Sequence, residues 1–193
     1  MLFRSLTLTE FAAQACRINR AGKLPLLVDA DHGYGNALNV RRTVEELETA
    51  GICAMSIEDT VLPRPYGPSG KPTLIPVEEG IGKMKAALSA RQDKKLVIAG
   101  RTSALAITGL DDAMKRAKAY EAAGVDAVFL AGGVTVEAVE VVSSAIKIPL
   151  ILGGGSGPSA RFDPYQIATT SECGSRLNRA CESSKTSRGS LLA

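Results

Sequence analysis

The sequence is poor in the residue types that zinc sites and nucleophilic triads require. Its 193 residues include a single histidine, four cysteines and no tryptophan. The cysteines show neither C-x-x-C spacing nor partner histidines, so a zinc site is not expected. A Ser-His-Asp triad would have to be built on His32. These absences argue against zinc chemistry and against any triad built elsewhere.

Long apolar runs and a strong charge excess are absent as well. The longest apolar runs are of strand length, so no membrane span is expected. The net charge is +3 with acids and bases interspersed, which predicts no nucleic-acid partner. Residues 1–20 lack the apolar stretch of a signal peptide and instead predict a helix with Thr9 as N-cap. Unpatterned cysteines indicate reduced thiols, so we expect a cytoplasmic protein, with a mitochondrial location left open.

Apolar segments alternate with helical segments along most of the chain. The apolar segments lack the period-two alternation of half-exposed strands, which is typical of a parallel sheet covered by helices. They predict five strands, at 24–31, 52–59, 95–101, 125–133 and 148–155, and the periodicity between them predicts helices at 37–51, 77–91, 109–124 and 135–146.

Two architectures fit this alternation, a TIM-type barrel and a doubly wound open sheet. A nucleotide-binding open sheet usually has a glycine-rich fingerprint after its first strand, whereas here Asp29 and Asp31 precede the glycines and would repel a pyrophosphate. We therefore expect an α/β fold of the (β/α)8 TIM-barrel type. A complete barrel has eight strands in about 250 residues. We expect an incomplete one, with about five β/α units in residues 1–171, followed at 172–193 by a polar tail that is disordered or unrelated.

Charged residues follow three successive predicted strands. In a TIM barrel the chemistry lies at the carboxyl ends of the strands, and these ends carry Asp29 and Asp31, then Glu58, then Arg101. Residues i and i+2 of a strand point to one side, so we expect the two aspartates to project together while Ala30 points away. Converging carboxylates suit Mg²⁺, or Mn²⁺ in its place, and an arginine beside them suits the carboxylate of a substrate.

Other polar residues and glycines near these strand ends have competing interpretations. We expect Asp59 to be structural, because its neighbour Glu58 takes the inward direction. His32 is either a base or, as we favour, a loop residue that supports its neighbours. The glycines at 132–133 and 153–155 form either phosphate-binding nests or tight strand-to-helix turns.

Three segments carry a family resemblance. The segments "VDADHGYGN", "SIEDT" and "IAGRT" resemble the isocitrate lyase / phosphoenolpyruvate mutase superfamily, and most closely its oxaloacetate decarboxylase and carboxyvinyl-carboxyphosphonate phosphorylmutase-like branch. The likeness runs from about Leu6 to about Leu152. It implies a (β/α)8 barrel and a homo-oligomer, usually a tetramer in which the last helix packs on a neighbouring subunit.

The resemblance also implies roles for individual residues. Asp29, Asp31 and Glu58 match the magnesium site, and Arg101 matches the arginine that binds the substrate and takes part in catalysis. The segment that shapes the floor of the substrate site corresponds to His32, Gly33, Tyr34, Gly35 and Asn36.

Two departures from the family narrow the implied function. Members that cleave isocitrate carry a Cys-Gly-His motif that residues 62–76 lack, which leaves decarboxylation of a small 2-oxoacid. The resemblance then implies conversion of oxaloacetate to pyruvate through a metal-stabilised enolate, with no proton donor identified. The family's opening strands also have no counterpart before Met1, and its last strand and helices are not recognisable after Glu172. The alternatives are therefore a truncated, inactive member, or a phosphonate/phosphoenolpyruvate mutase or other carbon–carbon lyase at the same metal site.

Overall fold

Five parallel strands lie side by side in the order in which they occur in the chain. The computed structural model describes residues 6–22, 24–62, 71–153 and 167–168. Each predicted strand is present, although each is shorter than expected. The strands are β1 (Leu27–Asp29), β2 (Ala54–Glu58), β3 (Val97–Thr102), β4 (Ala127–Ala131) and β5 (Leu150–Gly153), with a short antiparallel β6 (Ile167–Ala168) added beside β5.

One helix precedes β1, and one or two helices lie between each strand of the parallel set and the next. The helices are α1 (Leu8–Ala21), α2 (Ala37–Thr49), α3 (Val77–Ala90), α4 (Ala104–Ile107), α5 (Leu110–Ala123) and α6 (Val136–Ala145). A doubly wound sheet would reverse its strand order at a switch point, and the described strands do not reverse. The fold is thus α/β with consecutive units of the TIM-barrel type, as predicted, and residues 6–22, 24–62, 71–153 and 167–168 contain fewer strands than a closed barrel.

The main core lies between the helices and one face of the sheet. Met55, Ile57 and Ile98 of the strands pack there with helix residues such as Leu47 and Met84. The opposite face carries a much smaller apolar cluster of Ala99, Ala127, Ile151 and Phe129. The predicted tail at 172–193 lies outside the described residues. Within the described part of the chain, no helix has the length and hydropathy that a bilayer crossing requires.

The N-cap of α1 differs from the sequence prediction. Thr7, not Thr9, caps this helix, and its hydroxyl accepts a hydrogen bond from the N–H of Glu10. The Glu10 carboxylate accepts the N–H of Thr7 in return, over 2.8 Å. Thr9 has no acidic residue three positions later, so only the Thr7–Glu10 spacing permits this reciprocal capping box.

Strand register brings charged residues together at the carboxyl edge of the sheet. Glu58 of β2 pairs directly with Arg101 of β3, and Arg101 pairs with Phe129 of β4. On the other side, Asp29 of β1 pairs with Ser56 of β2, two residues before Glu58. Because paired residues on neighbouring strands point to the same face, these side chains share one surface.

A buried tyrosine occupies a slot that two glycines keep open. Tyr120 of α5 is completely buried. A Cβ atom on Gly80 of α3 would lie 2.5 Å from its hydroxyl oxygen, and one on Gly100 of β3 would lie 3.0 Å from its Cδ2. The first contact is shorter than real Cβ atoms show and the second is tighter than most, so the close approach of α3, α5 and β3 relies on the missing side chains, above all at Gly80.

Two glycines of α3 are therefore expected to respond oppositely to alanine. Glycine inside a helix normally costs about 0.5–1 kcal/mol relative to alanine, and Gly82 has open space around its Cα. Gly82→Ala should raise the free energy of unfolding by that amount. Gly80→Ala should lower it by about 1–3 kcal/mol, because the new methyl group collides with Tyr120. Urea unfolding of both variants measures this, and equal effects would contradict the slot.

Candidate active site

The first acidic pair lies where β1 gives way to a tight turn. β1 ends at Asp29, and Asp31 begins the turn with a φ of 48°. The two aspartates lie together and Ala30 points away, as expected, but the turn and not strand alternation sets the position of Asp31, because the extended backbone stops before it. The two residues are joined by another contact, in which the N–H of Asp31 donates to Oδ1 of Asp29 over 3.0 Å. Ala30 between them is completely buried, while both aspartates are exposed.

The turn that follows is fixed against α2. Gly33 and Gly35 both have positive φ, and a Cβ on Gly33 would lie 2.5 Å from Cγ2 of Val40. Asn36 is the N-cap of α2, and its side chain accepts two N–H groups of the first turn. Tyr34 has a φ of 60°, which is strained by about 1–3 kcal/mol for a residue with a bulky side chain. These contacts explain the shape of the turn, and a role for the four residues in ligand binding stays a prediction.

His32 lies in the same turn and is partly buried. Its ring stacks near that of Tyr34, with centroids 6.4 Å apart, and the ring of Phe11 of α1 lies 6.5 Å from that of Tyr34. Its Nδ1 is buried and has no hydrogen-bond partner among the described residues. Burial lowers the pKa of His32, and the positive charge of Lys83 lowers it further. The imidazole is therefore neutral at pH 7, and substrate binding by His32 stays a prediction.

Arg101 lies among the acidic side chains at the carboxyl edge. One guanidinium nitrogen donates to Oδ2 of Asp29, and Nε lies 3.5 Å from Oε2 of Glu58. The guanidinium also lies 5.5 Å from the centroid of the Phe129 ring, which gives a cation–π contact. The structure thus brings Asp29, Glu58 and Arg101 into contact, from three neighbouring strands.

The acids of this cluster repel one another electrostatically. Burial raises the pKa of Glu58, and the negative charges of Asp29 and Asp31 raise it further, while Arg101 opposes the shift. Although Asp31 is exposed as a residue, partial desolvation of its carboxyl group raises its pKa, and the charge of Asp29 raises it further. One arginine therefore serves three carboxylates, which leaves an excess of negative charge at this edge.

This charge excess fits a divalent cation held largely through water. Among the described residues, no three His, Cys, Asp or Glu side chains converge closely enough to hold a metal ion by themselves. Mg²⁺ does not need such a cage, because it commonly keeps several waters and uses only one or two protein carboxylates. Carboxylate oxygens are its preferred ligands, and the mutual repulsion of Asp29, Asp31 and Glu58 is what a cation would relieve. The donor set is therefore appropriate for Mg²⁺.

Asp59 points away from this cluster, in agreement with the expectation that it is structural. Its side chain is completely buried. Oδ2 accepts hydrogen bonds from Arg116 over 3.0 Å and from the hydroxyl of Tyr120 over 2.6 Å. Sequence reasoning did not identify these two partners, although helical periodicity places both on the core-facing side of α5.

Sequence reasoning also missed Lys83, a buried lysine of α3. Its side chain is 3% exposed. Burial lowers its pKa, although the carboxylates of Glu79, Asp59 and Glu58 act in the opposite direction. The available signal was its position next to Met84, on the helix face that also buries Gly80 and Ala87. A charged residue on an apolar helix face is unusual enough to be singled out.

Comparison with known proteins places this geometry in context. The sequence profile of the phosphoenolpyruvate phosphomutase family matches residues 4–177. An oxaloacetate decarboxylase from Rhodopseudomonas palustris strain BisB18 is 58% identical over 158 residues, which cover 82% of this chain and 54% of that enzyme. The chain therefore spans about half the length of the curated relatives it matches.

Two solved structures resemble the fold closely. A phosphoenolpyruvate phosphomutase from Streptomyces platensis subsp. rosaceus has a TM-score of 0.70 and 30% identity, and the match covers 91% of this chain and 59% of that one. A phosphonopyruvate hydrolase in complex with oxalate and Mg²⁺ has a TM-score of 0.68 and 27% identity, with 96% and 64% of the two chains covered.

Replacing the buried lysine should stabilise the protein near neutral pH. Its pKa in the folded state lies below the ordinary value of 10.5, so folding disfavours its charge. Lys83→Met should raise the free energy of unfolding at pH 7, because it removes a charge that burial disfavours. As pH rises towards 10.5, Lys83 also loses its proton in the unfolded chain, so folding no longer has to remove a charge from water. The wild type therefore becomes more stable, and its difference from Lys83→Met should shrink.

Urea unfolding at pH 7 and pH 10 measures this difference. Lys85→Met is the matched control, since Lys85 lies on the exposed face of the same helix, and its effect should stay within about 0.5 kcal/mol. Destabilisation by Lys83→Met at pH 7 would contradict the argument.

Proposed function

Because the chain belongs to the phosphoenolpyruvate phosphomutase family, we propose that its acid–arginine cluster serves a magnesium-dependent lyase that decarboxylates oxaloacetate to pyruvate. The observation that supports this most directly is the contact of Arg101 with Asp29 and Glu58 at adjacent strand ends. The cluster combines a guanidinium that can bind an anion with carboxylates that suit Mg²⁺. A small 2-oxoacid with two carboxylates uses the guanidinium for one carboxylate and the metal ion for the 2-oxo group and the other carboxylate.

Arg101 has the catalytic role in this proposal. Its guanidinium binds a substrate carboxylate through two parallel hydrogen bonds, which replace its contact with Asp29. Phe129 supports the guanidinium from one side, so the charge keeps its place as the substrate changes. Loss of CO₂ leaves negative charge on the remaining fragment, and a fixed positive charge in a partly buried site stabilises that charge strongly.

Asp29, Asp31 and Glu58 would hold the magnesium ion, largely through water. When bound, the ion supplies positive charge to the 2-oxo group and the neighbouring carboxylate of the substrate. The solved phosphonopyruvate hydrolase with oxalate and Mg²⁺ supports a divalent ion at this kind of site. The turn at 32–36 lies beside β1 and would form the floor on which the substrate rests.

Two other functions use the same residues. Phosphonate or phosphoenolpyruvate chemistry is favoured by the likeness to the Streptomyces phosphomutase. An inactive family member is the third candidate, because the match covers only 54% of the oxaloacetate decarboxylase from Rhodopseudomonas palustris strain BisB18. The homo-oligomer and the cytoplasmic location remain predictions.

Pyruvate release separates these functions. Protein is incubated with oxaloacetate and Mg²⁺, with and without chelator, and the rate is corrected for the heat-denatured sample. Arg101→Lys should lower kcat/KM by about 10²–10³-fold, because lysine cannot make the two-pronged contact. Arg91→Lys is the control, since Arg91 bonds Asp126 at the amino ends of the strands. Phosphate or phosphoenolpyruvate formed from phosphonopyruvate favours the second function, and no chelator-sensitive product from either compound favours the third.

Magnesium should stabilise the fold whether or not the chain is active. A ligand present at 100 times its Kd stabilises the folded state by about 2.7 kcal/mol, which corresponds to a rise in Tm of about 5 °C or more for a chain of this size. Glu58→Gln should abolish the rise, whereas Glu45→Gln on the exposed face of α2 should keep it. A thermal scan with Mg²⁺ and with chelator measures this, and an unchanged wild-type Tm would argue against the metal site.

A further inference from the structure

A buried hydrogen-bonded group lies directly behind the candidate site. It consists of Asp59 at the end of β2 and of Arg116 and Tyr120 on α5, and we call it the buried triad. The Asp59 carboxylate accepts from Tyr120 over 2.6 Å and from Arg116 over 3.0 Å. Arg116 is 6% exposed and the other two side chains are completely buried. The triad is therefore almost completely shielded from solvent, and the backbone of Asp59 links it to the site.

The backbone of Asp59 ties three elements together. Its N–H donates to the carbonyl oxygen of Arg101 on β3 over 3.3 Å. Its carbonyl oxygen accepts the N–H of Ile75 over 2.9 Å, just before α3 begins. Arg116 also donates to the carbonyl oxygen of Ile75, over 3.0 Å. Both polar backbone groups of Ile75 are thus held by the triad.

The donors of the triad are themselves held in place. Nε of Arg116 donates to Asp112 over 2.8 Å, and the hydroxyl of Thr108 donates to the same Asp112 oxygen over 2.7 Å. Burial raises the pKa of Tyr120 well above its ordinary value, and the charge of Asp59 raises it further, so the hydroxyl remains a donor. The ring of Tyr120 lies directly against Gly80 and Gly100, and it is completely buried there.

A buried ion pair of this kind is a poor source of stability. Desolvation of two charges consumes most of their attraction, and apolar replacements of similar volume are often equally stable or more so. The triad lies one residue from Glu58 and one hydrogen bond from Arg101, the two side chains that the proposed function needs in register. Its placement is thus better explained by positioning than by stability.

We infer that Asp59, Arg116 and Tyr120 are positioning residues that hold Glu58 and Arg101 at a fixed separation. Through this separation they set the affinity for Mg²⁺ and the turnover rate, although they contact neither the metal ion nor the substrate. Asp59 fixes the backbone of Glu58 from the buried side of β2, and its N–H fixes the backbone of Arg101. The predicted effects on Mg²⁺ binding and turnover rest on the proposed function. The predicted effect on the backbone at Glu58 and Arg101 does not depend on it.

The structure offers a matched control at the opposite end of the sheet. Asp126, just before β4, accepts from Arg91 over 2.5 Å and from the N–H of Ile98 over 2.9 Å. This is again an aspartate that joins an arginine to a second donor, but it lies at the amino ends of β3 and β4. Asp59→Asn and Asp126→Asn therefore weaken the same pattern of hydrogen bonds at the two ends of the sheet, with the difference that the Asp126 side chain is 34% exposed and that of Asp59 is completely buried.

The test compares the two variants in the full chain at a temperature well below both Tm values. Asp59→Asn should weaken Mg²⁺ binding, measured by calorimetric titration, by about tenfold and lower kcat by at least as much. Asp126→Asn should leave both within about twofold, whatever its loss of Tm. Tyr120→Phe, which keeps the ring, should act in the same direction as Asp59→Asn and substitutes for it if that variant does not fold.

Amide hydrogen exchange provides a measurement that does not depend on activity. In Tyr120→Phe the amides of Asp59 and Ile75 should exchange at least tenfold faster, relative to core amides of the same protein, and in Asp126→Asn they should not. If the wild type neither binds Mg²⁺ nor decarboxylates oxaloacetate, the proposed function fails and this measurement alone decides the inference. Equal exchange of these amides in Tyr120→Phe and Asp126→Asn would overturn the inference. Where Mg²⁺ binding and kcat can be measured, equal effects of Asp59→Asn and Asp126→Asn would also overturn it.

Discussion

The parallel pairing of β2 with β3 is the constraint on which the candidate site depends. This register sets Glu58 opposite Arg101, so a carboxylate and a guanidinium meet without any loop having to fold over them. Asp29 arrives from β1 on the other side of β2, and Phe129 arrives from β4. Regular hydrogen bonding between strands thus supplies most of the geometry. The turn after β1 contributes only Asp31 and the residues beside it.

The register also explains why the polar residues divide into two groups. Successive residues of a strand face opposite sides, so Glu58 enters the site while Asp59 enters the core. Each acid is matched by an arginine of its own, Arg101 on the site side and Arg116 on the core side. The site group and the core group are joined by the single peptide bond between Glu58 and Asp59. This is the physical basis on which events in the core can be expected to affect the site.

Sequence patterns predicted the parts of the structure that depend on periodicity. The five strands, their helices and the α/β class follow from apolar runs and helical spacing, and the acids at the strand ends follow from the position at which each run stops. Patterns failed where a local contact decides the outcome. The turn conformation of Asp31, the capping of α1 by Thr7 and the two-residue β6 all depend on individual hydrogen bonds. Lys83 and Tyr120 escaped notice because helical periodicity identifies buried positions without showing which polar groups meet there.

The turn at residues 31–36 has a consequence for how sequence motifs of this kind are interpreted. Gly33 and Gly35 adopt positive φ angles, and Gly33 leaves room for Val40. The side chain of Asn36 accepts hydrogen bonds from the free N–H groups in the first turn of α2. None of these requirements involves a reaction. A sequence search with the pattern D-x-D-x-G-Y-G-N therefore detects a particular strand-to-helix turn as much as it detects a catalytic site. Proteins that have lost their chemistry can retain most of the pattern for architectural reasons, and the acids must be weighed separately from the glycines when activity is assigned.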